Sequence, residues 1–387
     1  MNDLDRAKTL VAEMTLEEKA SLCSGKNFWL LKGIDRLGVP EIMITDGPHG
    51  LRKQMTDAEK ASLNQSVPAV CFPTAAATAC SFDRELLKVI GKTIGEECRQ
   101  EDVVVLLGPG VNIKRSPLCG RNFEYFSEDP FLAGEMAAAF IDGVQSQNVG
   151  VSIKHFAANN QEKARMVSES VMDERTFREI YLAAFERAVK QSNPWTVMCS
   201  YNRLFGEFAS QSRMLLTDIL RGEWGFKGIV MSDWGATVDR VKVLAAGLDL
   251  EMPFTGDLND RRIVAAVKNG KLPAEVLDTA AIRLTELILR SQKRKAFKYD
   301  AEKHHQVARD AAARSAVLIR NEKMLLPGNI KQKAAVIGAF AKIPRYQGTG
   351  SSKINPTKLD DACEELHRLG LVFDYAPGYH LNSDMPD

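Results

Sequence analysis

An acid beside an aromatic residue follows a short apolar run between Gly228 and Gly235, and this stretch is well equipped for chemistry. Ile229 to Met231 carries no charge, as expected of a strand buried on both faces, and Asp233 and Trp234 follow it closely. A carboxylate can attack or stabilise a cationic ring carbon of a sugar, while an indole packs against the ring face. The same octapeptide also fits an Asp that caps a helix and a Trp that belongs to the core.

Other predicted strands also end in polar side chains of kinds that bind a polyol. These side chains are Asp46 with Arg52, Arg121, Lys154 with His155, and Tyr201. Each has an ordinary interpretation as a turn cap, a surface cation, an ion pair or a core aromatic. Their recurrence at the same end of successive strands is the stronger argument, because those ends surround one pocket in a parallel α/β barrel.

The residue types in this set indicate complementary roles. A neutral polyol needs directional hydrogen bonds, which carboxylate, guanidinium, ammonium and imidazole groups can supply. We expect the cations, with a hydroxyl donor from Tyr201, to keep Asp233 ionised and nucleophilic. A different chemistry remains open, in which Lys154 is the Schiff-base amine of a lyase or aldolase. No metal or organic cofactor is predicted, because no His, Cys or carboxylate cluster has ligand spacing.

Alternating apolar runs and helical patterns must position these groups. Residues 15–18 form a capping box, so a helix is expected within residues 4–23. Strands are predicted at 42–44, 103–107, 149–153, 195–199 and 229–231, with one more inside 244–253, and helices at 86–97, 132–145, 176–190 and 215–221. The alternation predicts an α/β fold, with a (β/α)8 TIM-type barrel over residues 1–300.

A second α/β pattern follows a basic, polar stretch and is much shorter. Residues 301–315 are predicted to be a linker that includes a helix. Beyond it come a strand at 334–337, a glycine-rich loop at 348–352, a helix at 358–369 and a strand at 371–375. One βαβ unit is too small to bury both faces of its sheet. We therefore expect residues 316–387 to begin an incomplete, truncated α/β sandwich domain, which a companion chain or missing segment would complete.

The composition limits which classes of partner and which cellular compartment are expected. The chain has 387 residues, 26% of them charged, and a formal net charge of +1, which gives no indication of nucleic acid binding. Its seven cysteines include no Cys-x-x-Cys pair, which argues against a zinc site and a disulfide framework. No secretory signal or membrane-spanning stretch is visible, so a cytoplasmic location is expected.

Several ordered motifs resemble those of glycoside hydrolase family 3 β-glucosidases. They are Thr45–Arg52, Gly120–Pro130, Lys154–Glu162 and Met231–Gly235, and the resemblance runs from about residue 14 to the end of the chain. It implies that Asp233 is the nucleophile of a retaining mechanism and that Tyr201 orients it. It also implies that a sugar in the innermost subsite meets Asp46, Arg121, Lys154 and His155, with Arg52 and Arg165 nearby and Met198 and Trp234 on its apolar side.

The resemblance also places the general acid/base outside this sequence. In such family members it is a Glu of the second domain, beyond the region that aligns here. Glu124, Glu162 and Glu251 are carboxylates within the chain, but none fits the family pattern. The expected function is that of a retaining exo-acting β-glucosidase on small glucosides or oligosaccharides, or of its nucleophile-bearing N-terminal part. The alternative is a sugar-binding fragment without turnover of its own.

Overall fold

The computed structural model describes residues 2–55, 65–329, 331, 333–348 and 350–381. The outer limits of the two predicted domains, residues 1 and 387, lie outside this set. So does Thr349 of the predicted glycine-rich loop. Within the described part of the chain, no helix combines the length and the apolar composition needed to cross a bilayer.

A six-stranded sheet forms the centre of the molecule. Its strands are β1 (Leu30–Leu31), β2 (Ile42–Asp46), β3 (Val103–Leu107), β4 (Gly150–Phe156), β5 (Thr196–Cys199) and β6 (Ile229–Ser232), adjacent in chain order. Strands β2 to β6 run parallel, whereas β1 is antiparallel to β2. Every residue of β3 to β6 is buried, as expected when helices cover a parallel sheet.

The sheet curves into a barrel-like ring that single bridges close. Bridges join Met231 to Leu250, Ser24 to Glu251 and Gly25 to Leu31, so that β6 is linked back to β1. The α/β barrel prediction is therefore confirmed at the level of a barrel-like fold, but the ring contains an antiparallel strand and irregular segments.

The strand predicted inside 244–253 is wrong. The helix Arg240–Ala246 occupies its first residues and ends at Gly247, whose φ of 108° lies in the left-handed region. The residues after this turn form isolated bridges only.

Helices cover the outside of the ring. They are Asp3–Ala12, Leu16–Leu22, Ala75–Thr78, Arg84–Gln100, Pro130–Gln145, Glu174–Thr176 continuing through a π-helical Phe177–Leu182 into Ala183–Ser192, a π-helical Met214–Glu223, Arg240–Ala246, Leu258–Lys268 and Ala274–Ser291. The capping box at Thr15 and Glu18 is present, but the helical pattern of residues 4–23 is two helices. Arg84–Gln100 and Pro130–Gln145 pack so closely that a Cβ on Gly143 would lie 2.2 Å from the Lys88 carbonyl oxygen.

The chain after the barrel folds back against it. Helix Ala301–Arg314 places His304 between two carboxylates of helix Arg84–Gln100, with Nδ1 2.9 Å from Glu97 and Nε2 3.1 Å from Glu96. Strands β7 (Ala334–Ile337) and β8 (Phe373–Ala376) then pair in parallel around helix Ala362–Arg368. This is the βαβ unit that the sequence predicts.

The segment before that last helix reaches the barrel. Strand Asn355–Pro356 pairs with Pro68–Ala69, and the Gln347 amide oxygen accepts a hydrogen bond from Ile354 N. Gly348 lies against Phe123, where a Cβ would come within 2.2 Å of the ring. The loop that carries Gly350 and Ser351 is thereby placed at the mouth of the barrel.

Candidate active site

A cavity of about 500 Å³ lies at the C-terminal end of the parallel strands, in the size range of small-molecule pockets. All ten residues predicted for the site line it, namely Asp46, Arg52, Arg121, Lys154, His155, Arg165, Met198, Tyr201, Asp233 and Trp234. Strand geometry accounts for the gathering. Asp46 ends β2, Lys154 and His155 lie within β4, and Asp233 directly follows β6.

The two oxygens of Asp233 have different surroundings. Oδ1 accepts hydrogen bonds from its neighbour Trp234 N at 2.8 Å and from the Tyr201 hydroxyl at 3.0 Å. Oδ2 has no hydrogen-bond partner among the described residues, and His155 Nε2 lies 3.7 Å from it. Burial and the adjacent Asp233 raise the pKa of Tyr201, so the phenol keeps its hydrogen. One carboxylate oxygen is therefore fixed by donors and the other is not.

An aromatic wall, formed by Phe28, Trp29 and Trp234, lies beside this acid. The Trp29 and Trp234 rings are 5.4 Å apart, and Trp234 Nε1 donates to the Phe28 carbonyl at 3.0 Å. Asp233 and Trp234 are therefore not arranged as a helix cap and core residue. Asp233 caps no described helix, and the indole lines the cavity.

A charged wall, formed by Asp46, Arg52, Arg121, Glu124 and Lys154, closes another side. Lys154 Nζ lies 3.1 Å from Glu124 Oε1 and 3.6 Å from Asp46 Oδ1. Glu124 Oε2 is 2.7 Å from Arg121 Nη2, and Asp46 Oδ2 is 3.4 Å from Arg52 Nη1. Every member is buried or nearly so, and each carboxylate contacts two cations.

The two carboxylates of this wall titrate differently. Burial alone would raise the pKa of Glu124, but Arg121 and Lys154 outweigh it and hold that pKa well below its ordinary value. Burial raises the pKa of Asp46, against the opposing effect of Lys154 and Arg52. The distances explain the contrast, because Lys154 lies closer to Glu124 than to Asp46. Lys154 is occupied as a salt-bridge partner, and nothing in this arrangement favours a Schiff-base amine.

Arg165 lies at the more open part of the pocket. Its Nη1 is 2.7 Å from Glu162 Oε2, and its guanidinium carbon lies 4.7 Å from the centre of the Tyr201 ring. It therefore contacts the residue that holds Asp233 Oδ1.

Each of the three carboxylates considered as acid/base groups already has a hydrogen-bond or ion-pair partner within the protein. Glu124 is held by Arg121 and Lys154, and Glu162 by Arg165. Glu251 does not line the cavity, and its carboxylate accepts from Asn259 Nδ2 at 2.7 Å. No described residue group has the three or more His, Cys, Asp or Glu side chains needed to hold a metal.

Sequence reasoning missed several residues of the site. Phe28, Trp29, Phe123, Gly350 and Ser351 line the cavity without having been predicted to do so. The adjacent aromatics at 28 and 29, which begin a four-residue apolar run between Asn27 and Lys32, were an available signal. Gly350 and Ser351 reach the pocket through a chain reversal more than a hundred residues after β6, which no local pattern shows.

The family model for the N-terminal domain of glycosyl hydrolase family 3 matches residues 34–287. This range includes all ten residues predicted for the site, whereas Phe28, Trp29, Gly350 and Ser351 of the cavity lie outside it. The chain belongs to glycosyl hydrolase family 3. This agrees with the motif resemblance found in the sequence.

Curated relatives and solved structures from this family align over nearly the whole chain. A thermostable β-glucosidase B from Acetivibrio thermocellus is 56% identical over 97% of the chain and 51% of its own length. An exo-α-(1→6)-L-arabinopyranosidase from Bifidobacterium breve is 49% identical, with the same two coverages. The family 3 β-glucosidase structure from Bifidobacterium adolescentis superposes with a TM-score of 0.90 at 49% identity, over 97% of this chain and 54% of that one. The family 3 chain therefore spans about half the length of these relatives.

Proposed function

We propose that this family 3 chain supplies the innermost sugar subsite and the nucleophile of a retaining, exo-acting β-glucosidase that removes terminal β-D-glucose from small glucosides. The observation that carries the proposal is the asymmetry of Asp233. Two donors fix Oδ1, while Oδ2 lacks a hydrogen-bond partner among the described residues. A carboxylate held in this way keeps one oxygen available for bond formation.

The chemistry follows from this geometry. An electron pair on Asp233 Oδ2 forms a bond to the anomeric carbon while the bond from that carbon to the leaving oxygen breaks. The leaving oxygen takes a proton from a carboxylic acid. A water molecule then attacks the same carbon, gives its proton to the conjugate carboxylate, and Asp233 leaves as its anion. Two inversions return the original anomeric configuration.

The charged wall and the aromatic wall supply binding in this proposal. Asp46 and Glu124 can accept from sugar hydroxyls, while Lys154 and Arg121 can donate to them. Trp234 and Met198 offer apolar surface to the sugar ring. A pocket of about 500 Å³ suits one terminal sugar and part of its aglycone.

We propose that the general acid/base comes from outside these residues, on a segment or companion chain that completes the second α/β domain. The support is that Glu124 and Glu162, the two glutamates of the pocket, are each paired with an arginine. Against the effect of burial, Arg121 and Lys154 hold the pKa of Glu124 well below its ordinary value. The Glu162 carboxylate already accepts a hydrogen bond from Arg165 Nη1 at 2.7 Å.

Covalent trapping tests the nucleophile. A 2-deoxy-2-fluoro-β-glucoside with a dinitrophenyl leaving group should form an adduct on the full chain, and peptide mapping should locate it on Asp233. Asp233→Ala should abolish the adduct, whereas Glu162→Gln, which removes another carboxylate charge of the pocket, should retain it. An adduct on any other residue would refute the assignment.

The leaving group separates an active enzyme from a sugar-binding fragment. Dinitrophenyl glucosides need little acid assistance, whereas alkyl glucosides need it fully. We expect the chain alone to release dinitrophenol and to leave alkyl glucosides intact. Saturable glucose binding, without dinitrophenol release and without an adduct, would instead support the binding-only alternative.

One relative suggests a different terminal sugar, L-arabinopyranose, as the alternative to glucose. A relative that is 49% identical is an exo-α-(1→6)-L-arabinopyranosidase. An α-L-arabinopyranoside lacks the hydroxymethyl group of glucose and has an axial hydroxyl at C4. Comparing kcat/KM for the two aryl glycosides decides between them, and we expect the glucoside to be preferred.

We further propose a reducing, cytoplasmic environment. The support is that all seven cysteines are unpaired, five of them buried. The protein can be isolated from cell fractions under conditions that block thiol exchange and then denatured. We expect to find it in the cytoplasmic fraction, and thiol titration of it should give seven free thiols.

A further inference from the structure

His155 occupies a central position in the pocket. It is buried, its Nε2 lies 3.7 Å from Asp233 Oδ2, and its Nδ1 lies 3.2 Å from the Tyr125 hydroxyl. Burial, then Arg121 and Lys154, hold the pKa of His155 well below its ordinary value, so the ring is neutral near pH 7. A neutral imidazole has one N–H and one lone pair. Which nitrogen carries the hydrogen decides whether Asp233 meets a donor or a lone pair.

The hydrogen position can be derived from the neighbouring groups. Glu162, in its ion pair with Arg165, only accepts hydrogen bonds, so the Asn159 atom 3.0 Å from Glu162 Oε1 must be the amide nitrogen. The opposite amide orientation would place two acceptors against each other. The same nitrogen lies 3.2 Å from the Tyr125 hydroxyl oxygen, so Asn159 donates to Tyr125 with its second hydrogen.

Tyr125 transmits this orientation to the imidazole. Burial raises the pKa of Tyr125, so its hydroxyl keeps one hydrogen. With its oxygen accepting from Asn159, that hydrogen is directed to His155 Nδ1, which must therefore be the lone-pair nitrogen. The remaining hydrogen lies on Nε2, the nitrogen nearer to Asp233.

The backbone of His155 is fixed separately. Asn112 Oδ1 accepts from His155 N at 2.8 Å, and Asn112 Nδ2 donates to the His155 carbonyl at 2.9 Å. This two-point contact holds the main chain while Tyr125 acts on the ring. The ring therefore has a fixed place and a single orientation of its hydrogen.

We propose that Asn159 and Tyr125 are positioning residues that hold His155 in its Nε2–H tautomer, so that it presents a donor to Asp233 Oδ2 and to a sugar hydroxyl bound beside it. The consequence for turnover rests on the proposed function. With the opposite tautomer, the Nε2 lone pair would oppose the carboxylate charge that returns when the glycosyl bond to Asp233 breaks. The tautomer itself is a property of the resting protein and needs no substrate.

Nitrogen NMR of the full chain labelled with ¹⁵N-histidine measures the tautomer directly. The chain has six histidines, and a His155→Gln variant assigns the signal. In the wild-type protein near pH 7.5 we expect a pyrrole-type Nε2 and a pyridine-type Nδ1 for His155. A pyrrole-type Nδ1, or an imidazolium, in the wild-type protein would by itself overturn the proposal.

The hydrogen bonds from Asn159 to Tyr125 and from Tyr125 to His155 form a relay, and two variants test it. Tyr125→Phe removes the donor to Nδ1 and should shift both nitrogen signals towards a mixture of tautomers. Asn159→Asp replaces the amide donor by an acceptor, so Tyr125 should donate to the new carboxylate and His155 should change to the Nδ1–H form. Tyr181→Phe, the same substitution at a buried tyrosine outside the pocket, should leave the signals unchanged. Unchanged signals in both relay variants would refute the proposal.

Turnover supplies the second measurement. For Tyr125→Phe we expect kcat for dinitrophenyl glucoside to fall about tenfold, the size of one hydrogen bond, with the Asp233 adduct still forming. In this variant the adduct should also be released more slowly. If the wild-type protein has the expected tautomer but forms no adduct, the proposed function fails and the tautomer assignment stands. If the adduct forms on Asp233 but the tautomer is the opposite one, only the relay fails.

Discussion

The carboxylates of the charged wall and the carboxylate of Asp233 have different kinds of partner. On the charged wall, Asp46 and Glu124 each contact two cations, and all of these groups are buried except Arg121, which is nearly so. Across the pocket, Asp233 receives two neutral donors on one oxygen, while its other oxygen has no hydrogen-bond partner in the described structure. The three acids therefore share a cavity but not an electrostatic environment.

This difference separates stability from chemistry. Removing one partner from a buried ion network leaves an uncompensated charge, so single substitutions in the charged wall should destabilise the fold. A carboxylate with an unpartnered oxygen contributes less to folding, because part of its desolvation is not offset. We expect substitutions in the two regions to affect different measurements.

Asp233→Asn should give the largest effect on activity and almost none on stability. Losing the attacking oxygen should lower kcat for dinitrophenyl glucoside by at least about 10⁴-fold. The melting temperature should stay within about 2 °C of the wild-type value or rise, since an active-site charge is removed. Calorimetry and burst kinetics on the same preparation check both statements. A large loss of melting temperature would show that Asp233 is structural.

Lys154→Met should instead give a large loss of stability. It leaves Asp46 and Glu124 buried without their shared cation, which we expect to lower the free energy of unfolding by about 3–5 kcal/mol. Urea unfolding measures the change. Arg165→Met is the matched control, because its ion pair with Glu162 is partly exposed and should be worth about 1 kcal/mol or less. Equal losses in the two variants would contradict the contrast between the regions.

The strand pattern predicted from sequence succeeded where burial was uniform. The apolar run at 103–107 is a strand with those limits, because every residue of it is buried and no local signal competes. The predicted strand at 149–153 is longer in the structure, extending to Phe156. Lys154 and His155 broke the apolar pattern, yet they remain in the strand because the charged wall compensates Lys154.

The prediction failed where tertiary contacts replaced strand pairing. The apolar sequence at 244–253 looks like a strand, but Asp249 inside it is bound by Arg221 and Arg283 and accepts from Val230 N. Those partners come from distant parts of the chain, and no periodicity shows them. The same limit applies to Tyr125 and Asn159, whose significance depends on a chain of contacts with His155 that only the folded structure brings together.

His49 should make the stability of the charged wall depend on pH. It is buried and lines a small cavity together with Glu124 of that wall, and burial lowers its pKa from 6.5 to about 4. Because the folded-state pKa is depressed, the unfolded chain binds the proton first as pH falls. Stability from this group is therefore complete above pH 6.5 and is lost as pH falls towards about 4.

The measurement is a comparison of unfolding curves for wild type and His49→Gln across that pH range. Asp46, Glu97 and Glu251 have raised pKa values and contribute to the pH dependence of stability with the opposite sign. Their contributions are common to both proteins, so they cancel when one free energy of unfolding is subtracted from the other. The difference should change by about 1.4 kcal/mol per pH unit, in favour of the variant as pH falls. Parallel curves would show that His49 does not titrate differently on unfolding.

Trp234→Phe should give the smallest effect and confine it to binding. Phe keeps an aromatic ring beside Asp233 but loses the hydrogen bond from the indole to the Phe28 carbonyl, in an exposed setting. Loss of about 1 kcal/mol should raise KM roughly fivefold and leave kcat nearly unchanged. Phe28→Leu is the control, since it removes the ring but keeps the carbonyl, and it should barely change KM. If Phe28→Leu raised KM as much as Trp234→Phe, ring contact between the aromatic residues, and not the hydrogen bond, would position the indole.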